Sequence, residues 1–391
     1  MPARRVPARV EEEMMARLWQ GVLICGLALG ASTGLGCGEG DRRLAPIQLD
    51  SLLTIGAIQG EGVMASWPRV SPRLPGGIRI LVPQPGGVSA LPAVFGEDGR
   101  FHGTIGAEGD GPGEFRGAIF ARVGPGDSIY IFAENPRAVV FGVDRTYGRT
   151  IPLPMGIWDA LVLPDRRIVL TSPMNEQPLP FLLLDPEGGL LREFGGADSA
   201  SQAVKSPRWL ARGNDGSYWT MPMQFRWRVE HWDSTGALIG AIERTPDWFQ
   251  RYREMLALTH TQAPQPTVQA FWIDSAGRLW VLGRTADPAW ASGLGPARAG
   301  VGGATAPILD PDKVYDTVIE LRDAATGSLI AQARFDVSYP FMVKPGVVMR
   351  VLDTPEGWKR AELMRVVVVP SAPSGRVSQL STERFFFVLE H

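Results

Sequence analysis

Short apolar segments alternate with tight polar turns along most of the chain. Two examples of such turns are Gly213-Asn214-Asp215-Gly216 and Asp233-Ser234-Thr235-Gly236. Glycine, asparagine and aspartate favour turns, and many short strands at regular spacing are typical of sandwiches and barrels. The pattern therefore predicts an all-β fold.

The turns recur with a period of roughly 40 to 50 residues, which is the range of β-propeller blades. The predicted hairpin turns lie near residues 71–75 and 97–99, 124–127 and 144–148, 164–165 and 186–189, 213–216 and 233–236, and 274–277 and 325–327. A less regular unit spans residues 347–369. The segment Leu52–Ile55 has no hairpin partner of its own, so we predict that it pairs with the last blade and closes a six-bladed ring.

One glycine-rich segment, residues 104–116 with the sequence TIGAEGDGPGEFR, carries a family resemblance. Its glycines allow positive φ angles, and Phe115 is a bulky apolar group that must be buried. The segment resembles the joint between blades in bacterial exported six-bladed β-propellers that are related to the NHL-repeat group. The resemblance implies one propeller over residues 44–391. The segment is not a phosphate-binding loop, because no Gly-Lys-Ser/Thr follows it.

Long connections are predicted on one face of this scaffold, and loops on a rigid scaffold commonly carry binding sites. They span residues 106–118, 194–208, 243–267 and 283–315. Thr245-Pro246-Asp247 has the composition of a helix start and predicts a small helix over the blades or a lid over the channel mouth. Residues 286–306 are rich in Ala, Gly and Pro and show no apolar period, which predicts a mobile excursion and not a domain.

Side chains at the starts of the inner strands should approach the axis of a propeller. The candidates for ligand binding are Glu114, Arg116, Trp158, Asp159, Arg208 and Trp209. Indoles beside ionisable groups at equivalent positions predict a partly apolar pocket with fixed polar groups. The alternative is that the tryptophans pack between blades while the charges pair with one another.

Signatures of catalysis are sparse in this sequence. The four histidines, at positions 102, 231, 260 and 391, do not form a zinc-binding pattern; residues 44–391 contain no Gly-x-Ser-x-Gly motif, and the chain has no His-Glu-x-x-His motif. We therefore predict a binding scaffold without a cofactor. The alternative is an enzyme of the lactonase or lyase type with an axial divalent metal, for which calcium ligands could come from Glu114, Asp159 and Glu134-Asn135.

Composition narrows the range of partners. The chain has 391 residues, 20% of them charged, and a formal net charge of -2. Neither this charge nor any basic run indicates nucleic acid. The expected partner is a small polar ligand or a protein.

The N-terminal region has the pattern of an export signal. From Met15, an apolar run from Leu18 to Leu29 is followed by small residues up to Gly36. We predict a signal peptide over residues 1–36, with Met15 as an alternative start, and a tether over 37–43. Cys37 follows Gly34-Leu35-Gly36 as in a bacterial lipoprotein signal, which predicts a lipid-anchored protein of the cell envelope. The alternative is ordinary cleavage and release.

The first testable prediction is that the mature chain begins at Cys37 and carries lipid there. Intact-mass measurement of protein extracted from membranes should show a species that starts at residue 37 with added acyl mass. A soluble, unmodified species that begins elsewhere would contradict lipidation.

Overall fold

The computed structural model describes residues 44–56, 68–70, 79–83, 91–154, 156–171, 180–195, 206–300 and 303–369. Within them the chain forms six four-stranded antiparallel sheets and two small two-stranded sheets. The predicted all-β class is confirmed. The predicted signal peptide and tether, residues 1–43, and the predicted turn at 71–75 lie outside the described residues.

Five of the four-stranded sheets are each built from one continuous stretch of chain. Strand β1 (Ile47–Ile55) precedes them. The first sheet contains β2 (Pro68–Val70), β3 (Arg79–Pro83), β4 (Ala93–Phe95) and β5 (Phe101–Thr104), and the pair β6 (Ala107–Glu108) and β7 (Glu114–Phe115) follows it. The second contains β8 (Ala118–Val123), β9 (Ile129–Ala133), β10 (Arg137–Phe141) and β11 (Tyr147–Pro152). The third contains β12 (Asp159–Val162), β13 (Ile168–Thr171), β14 (Phe181–Leu184) and β15 (Leu190–Phe194).

The remaining sheets continue this order. The fourth contains β16 (Arg208–Arg212), β17 (Tyr218–Pro222), β18 (Trp227–Trp232) and β19 (Leu238–Arg244). The fifth starts with β20 (Thr267–Ile273) and β21 (Arg278–Ala286), and after the hairpin of β22 (Arg298–Gly300) and β23 (Gly303–Thr305) it ends with β24 (Tyr315–Asp323) and β25 (Leu329–Phe335). The sixth contains β26 (Phe341–Lys344), β27 (Val347–Asp353), β28 (Lys359–Val368) and β1. Short helical turns occur at Pro125–Asp127, Trp290–Gly293 and Pro311–Val314.

The first strands of the sheets surround a common axis. Strands β2, β8, β12, β16, β20 and β26 each lie next to the first strands of the two neighbouring sheets, and the contact between β26 and β2 completes the circle. Buried apolar side chains form a separate cluster between each pair of consecutive sheets. This arrangement of radial sheets with interleaved cores is a β-propeller.

The last sheet joins the beginning of the described chain to its end. Strand β1 pairs antiparallel with β28, with Leu53 opposite Leu363 and Ile55 opposite Ala361. The pairing predicted for Leu52–Ile55 is therefore present, and it extends back to Ile47. The predicted β-propeller is confirmed with five blades that are each continuous in sequence, whereas the predicted count of six is not, because the last sheet takes one of its strands from the start of the described chain.

Aspartate residues fix the hairpin turns on one face of the propeller. In eight hairpins an aspartate Oδ1 accepts a hydrogen bond from the backbone N–H two residues later, at 2.8–3.2 Å: Asp98, Asp144, Asp165, Asp185, Asp215, Asp233, Asp274 and Asp323. The backbone N–H groups in these turns have no partner in the strand ladders, and the aspartate carboxylate takes the place of water as their acceptor. We call this side the turn face, and the opposite side the loop face.

The glycine-rich segment 104–116 is a joint between the first and second sheets, as the sequence predicts. Gly106 has a φ of 77°, and a Cβ there would lie 2.4 Å from the Phe115 ring. Phe115 itself is buried and packs edge-to-face against Phe141, with ring centroids 6.5 Å apart. Glycine is required because a larger residue would displace the aromatic anchor of the joint.

The connection after β19 does not form the helix predicted from Thr245-Pro246-Asp247. All of residues 245–266 are described, and none is helical. The Trp248 ring packs against Gly283, and its Nε1 donates a 2.8 Å hydrogen bond to the buried Glu320. These contacts hold the chain in an irregular path that begins with a turn, and they outweigh the weak propensity of a short isolated helix.

The excursion between β21 and β24 is also more regular than its composition predicts. It contains the β22–β23 hairpin and two short helical turns. Leu294, Ala306 and Val314 from the excursion are buried together with Leu258 from the preceding connection packed against them. The Ala306 N–H donates to the Leu258 carbonyl at 3.0 Å. The two long connections thus support each other on the loop face.

Deletion of residues 44–56 should destabilise the propeller and cause it to associate. The deletion exposes the edge of β28 and removes the burial of Ile47 and Ile55, which is worth about 3–6 kcal/mol in total. That is a large share of the ~5–15 kcal/mol of a typical domain. The measurements are thermal unfolding and light scattering coupled to size exclusion. A variant without residues 1–43 is the control, and an unchanged, monomeric 44–56 deletion would refute the role of β1.

Candidate functional site

A cavity of about 680 Å³ lies at the axis of the propeller. Its wall comes mainly from the first strands of the second to sixth sheets, including Ala121, Leu161, Ala211, Phe271 and Met342. Pockets for small organic ligands have volumes of about 300–1,000 Å³ and are mostly apolar with a few polar groups. The size and position of this cavity make it the candidate site.

Two of the sequence-predicted tryptophans meet in this wall. The ring centroids of Trp158 and Trp209 are 5.7 Å apart, with a tilt of 54° between the rings. The Trp209 Nε1 donates a 2.9 Å hydrogen bond to the carbonyl of Val268 on the next sheet. The backbone N–H of Trp158 donates to the Thr171 carbonyl at 2.8 Å. The indoles therefore pack between blades and line the cavity at the same time.

A third indole, Trp272, lines the cavity and was not among the predicted residues. Its Nε1 donates a 3.1 Å hydrogen bond to the carbonyl of Met342 on the sixth sheet. It lies near the end of β20, whereas the predicted residues were taken from the starts of inner strands. An aromatic ring fixed in this way offers a flat apolar surface at little cost in conformational entropy.

Asp159 lines the cavity but is fully engaged by the protein. It is 1% exposed, and its Oδ2 accepts a 2.9 Å hydrogen bond from the Leu210 N–H of the fourth sheet. Its Oδ1 accepts from the Ala160 N–H at 2.8 Å and forms an ion pair with Arg122 of the second sheet. The carboxylate thus connects the inner strands of three sheets, which leaves it little capacity to bind a ligand.

The other predicted residues do not line the cavity. Glu114 Oε2 accepts a 2.9 Å hydrogen bond from the Gly111 N–H, and Arg116 forms an exposed ion pair with Asp110 at 2.6 Å. Both residues stabilise the joint between the first two sheets. Their distance from the cavity has a simple cause, because β8 begins only at Ala118, after the joint has turned.

Arg208 begins an inner strand as predicted, but its side chain points into a sheet interface. It is 2% exposed, and its Nη1 donates a 3.0 Å hydrogen bond to the buried Glu230. Its guanidinium also lies over the ring of Phe181 of the third sheet, 5.4 Å from the centroid. Trp209, the next residue, therefore points to the cavity, because side chains alternate along a strand.

Basic side chains in the wall were missed by the sequence argument. Arg122, Arg212, Arg284 and Lys344 line the cavity, whereas Asp159 is the only acidic lining residue among those that the structure describes. Arg122 is neutralised by Asp159, and the Nη2 of Arg212 donates to the Val162 carbonyl. A signal existed for Arg122, because it is a charged residue within the otherwise apolar run Ala118–Val123. The described part of the wall therefore contains more basic than acidic side chains.

The described residues do not supply the oxygen ligands that the calcium alternative requires. No group of three or more His, Cys, Asp or Glu side chains within the described ranges could hold a metal ion. Asp159 is engaged as described above, Glu114 is bound to its own loop, and Glu134 lies beside Gly117. These three candidates do not converge on the axis.

A serine and a histidine lie side by side in the fourth sheet, but not as a nucleophile and a base. The Ser217 hydroxyl donates a hydrogen bond to the Asp215 carboxylate, and this bond is the largest cause of the lowered pKa of Asp215. Ser217 Oγ must then accept from His231 Nε2, 2.7 Å away. A general base would have to accept from the serine. Burial also lowers the pKa of His231, whose ring stacks on Trp219.

No helix within the part of the chain that the structure describes has both the length and the apolar character needed to cross a bilayer.

Comparison with known proteins relates this chain to others by fold. No protein-family model and no curated protein matches it. A solved member of the DUF4221 family from Bacteroides vulgatus ATCC 8482 is similar in structure, with a TM-score of 0.57, 10% identity, and coverage of 84% of this chain and 100% of the other. A protein of Bacteroides fragilis NCTC 9343 whose name assigns it provisionally to the exported proteins has a TM-score of 0.53, 10% identity, and coverage of 83% and 96%. At this identity the similarity supports a shared β-propeller fold.

Proposed function

We propose that this protein is an exported β-propeller that binds a small organic ligand in its axial cavity. The observation that carries the proposal is the cavity of about 680 Å³ with the indoles Trp158, Trp209 and Trp272 in its wall. Three indole side chains provide stacking surface, and the polar and basic groups between them provide orientation. This combination suits a ligand with a flat apolar body and at least one polar group.

The cellular location is part of the same proposal. The sequence from Met15 to Cys37 has the pattern of a lipoprotein signal, and one structural neighbour has a name that refers to export. A lipid anchor at Cys37 would hold the propeller at the envelope membrane, where a ligand from the surroundings could reach the cavity. We also propose that the protein is related to the NHL-repeat group and that the composite sheet acts as the sixth blade of the ring.

Binding is favoured over catalysis by the state of the ionisable groups. The acid in the wall, Asp159, is engaged with Leu210 and Arg122, and the Ser217 hydroxyl is already committed to Asp215. Neither group is positioned to transfer a proton to or from a ligand in the cavity. The groups that remain in the wall are ones that recognise a ligand by stacking and charge.

Replacement of Trp209 by alanine should weaken the binding of a flat aromatic probe. We would use 2-naphthamide, a neutral compound, and measure binding by isothermal titration calorimetry. At about 0.3 kcal/mol per heavy atom, the value for drug-sized ligands, this probe should bind with a dissociation constant of about 1 mM. Loss of stacking against Trp209 should weaken binding at least about fivefold.

Trp358→Ala is the matched control, because Trp358 is an exposed tryptophan that does not line the cavity. It should bind the probe as the unmodified protein does. The proposed site would be wrong if the unmodified protein showed no saturable binding, or if Trp209→Ala bound the probe with unchanged affinity.

A further inference from the structure

Arg284 lies at the same end of the cavity as the tryptophan pair. In the β20–β21 ladder it is opposite Thr267, the first residue of β20. The neighbouring residue, Val268, provides the carbonyl that accepts the hydrogen bond from Trp209 Nε1. Arg284 and the Trp158–Trp209 pair are therefore close to one another at the loop face.

The guanidinium of Arg284 differs from the other arginines of the wall in its contacts. It lies over the ring of Tyr315, with Cζ 3.9 Å from the centroid. Its Nε is buried without a hydrogen-bond partner, and no carboxylate pairs with it within the described ranges. By contrast, Arg122 pairs with Asp159, and Arg212 donates to a carbonyl at the turn-face end.

Two acidic residues near Arg284 along the chain and the ladder interact with other groups. Asp316 lies on β24 opposite Thr285, and its Oδ2 accepts from Arg334 Nε at 2.5 Å. Asp287 follows the last residue of β21, and its Oδ1 accepts from the Ala289 N–H at 2.5 Å. Neither carboxylate forms an ion pair with Arg284, whose charge interacts instead with the phenols of Tyr315 and Tyr252.

A half-buried guanidinium with a buried, unpartnered Nε is unfavourable, and the surroundings of Arg284 offset this only in part. Burial lowers the pKa of Arg284, while the phenols of Tyr315 and Tyr252 oppose that change. Burial also raises the pKa of Tyr252 to about 12, so this phenol stays neutral at physiological pH. Cation–π contact with Tyr315 is weaker than pairing with an anion in the same position. An anionic ligand would complete the site.

We propose that Arg284 binds the carboxylate of a flat, apolar carboxylic acid whose body lies against Trp158 and Trp209. This inference rests on the proposed ligand-binding function and specifies the class of ligand. The planar fork of a guanidinium matches the two oxygens of a carboxylate, and it forms charge-assisted hydrogen bonds. The indoles beside it accommodate the apolar part, so one end of the cavity recognises both parts of the molecule.

The test compares two probes of nearly equal shape, 2-naphthoate and 2-naphthamide, which differ in charge. For the unmodified protein, calorimetry should show naphthoate binding at least about tenfold tighter than naphthamide, since an ionic hydrogen bond is involved. The Arg284→Met variant should bind naphthoate no more tightly than naphthamide. Its affinity for naphthamide should equal that of the unmodified protein. Arg278→Met, on the same strand but outside the cavity lining, is the matched control and should keep the tenfold preference.

Equal binding of the two probes by the unmodified protein would overturn the assignment of Arg284 while leaving the proposed ligand-binding function intact. A preference that survives Arg284→Met would overturn it too, as would loss of the preference in Arg212→Met alone, because the carboxylate would then lie at the turn-face end. Failure of both probes to bind would overturn the proposed function itself. Should Arg284→Met not fold, the comparison of the two probes on the unmodified protein still decides, and Arg284→Lys, which keeps the charge without the planar fork, should reduce the preference.

Discussion

The pairing of β1 with β28 is the interaction on which the rest of the propeller depends. A ring of sheets has no natural end, and each apolar cluster needs a sheet on both of its sides. Ile47 contributes to the cluster between the fifth and sixth sheets, and Ile55 contributes to the cluster between the sixth and first. The closing strand therefore completes two of the interfaces in addition to one ladder. Because the two ends of the described chain share a sheet, loss of that pairing opens the whole ring.

Closure at the circumference leaves a space at the axis, and the inner strands must satisfy their polar groups around it. Asp159 does so by linking Arg122 and the Leu210 N–H across three sheets. An unpaired carboxylate in this position would be costly, whereas a paired one costs less but is removed from other chemistry. The same applies to Glu230 and Glu320, which are buried and bound by Arg208 and by Arg322. These three buried carboxylates therefore stabilise the fold by pairing with arginines and backbone groups.

The sequence allowed the architecture to be predicted more fully than the site. Aspartate and glycine at the hairpin turns act locally, so their pattern is visible without any knowledge of tertiary contacts. Leu52–Ile55 was identified as the closing strand because an apolar strand without a hairpin partner needs one elsewhere. The predicted helix after Thr245 failed because Trp248 finds a better partner in Glu320, which is distant in sequence. Local helix signals cannot register such a contact.

Alternation along a strand was sufficient to place some of the predicted residues in the cavity wall, but not the others. Trp158 and Trp209 lie in the cavity wall, whereas Glu114 and Arg116 precede the strand that would have carried them there. Arg284 could not be found by the same argument, because it belongs to a second strand and reaches the cavity only through the ladder with β20. Its sequence context, after Gly283, gives no sign of a ligand.

The separation of charges links the fold to the proposed function. On the turn face, aspartates accept hydrogen bonds from their own turns, and in the interior Asp159 links the inner strands. The carboxylates named in both regions are therefore engaged in contacts that stabilise the fold. Basic side chains are distributed differently, because Arg122 and Arg208 are matched to buried acids while Arg284 is not. Under the proposed function, a guanidinium that no carboxylate of the described residues matches, beside two indoles, would favour an anion over a cation or a neutral ligand. That selectivity would follow from the same pairing of buried charges that holds the inner strands in place.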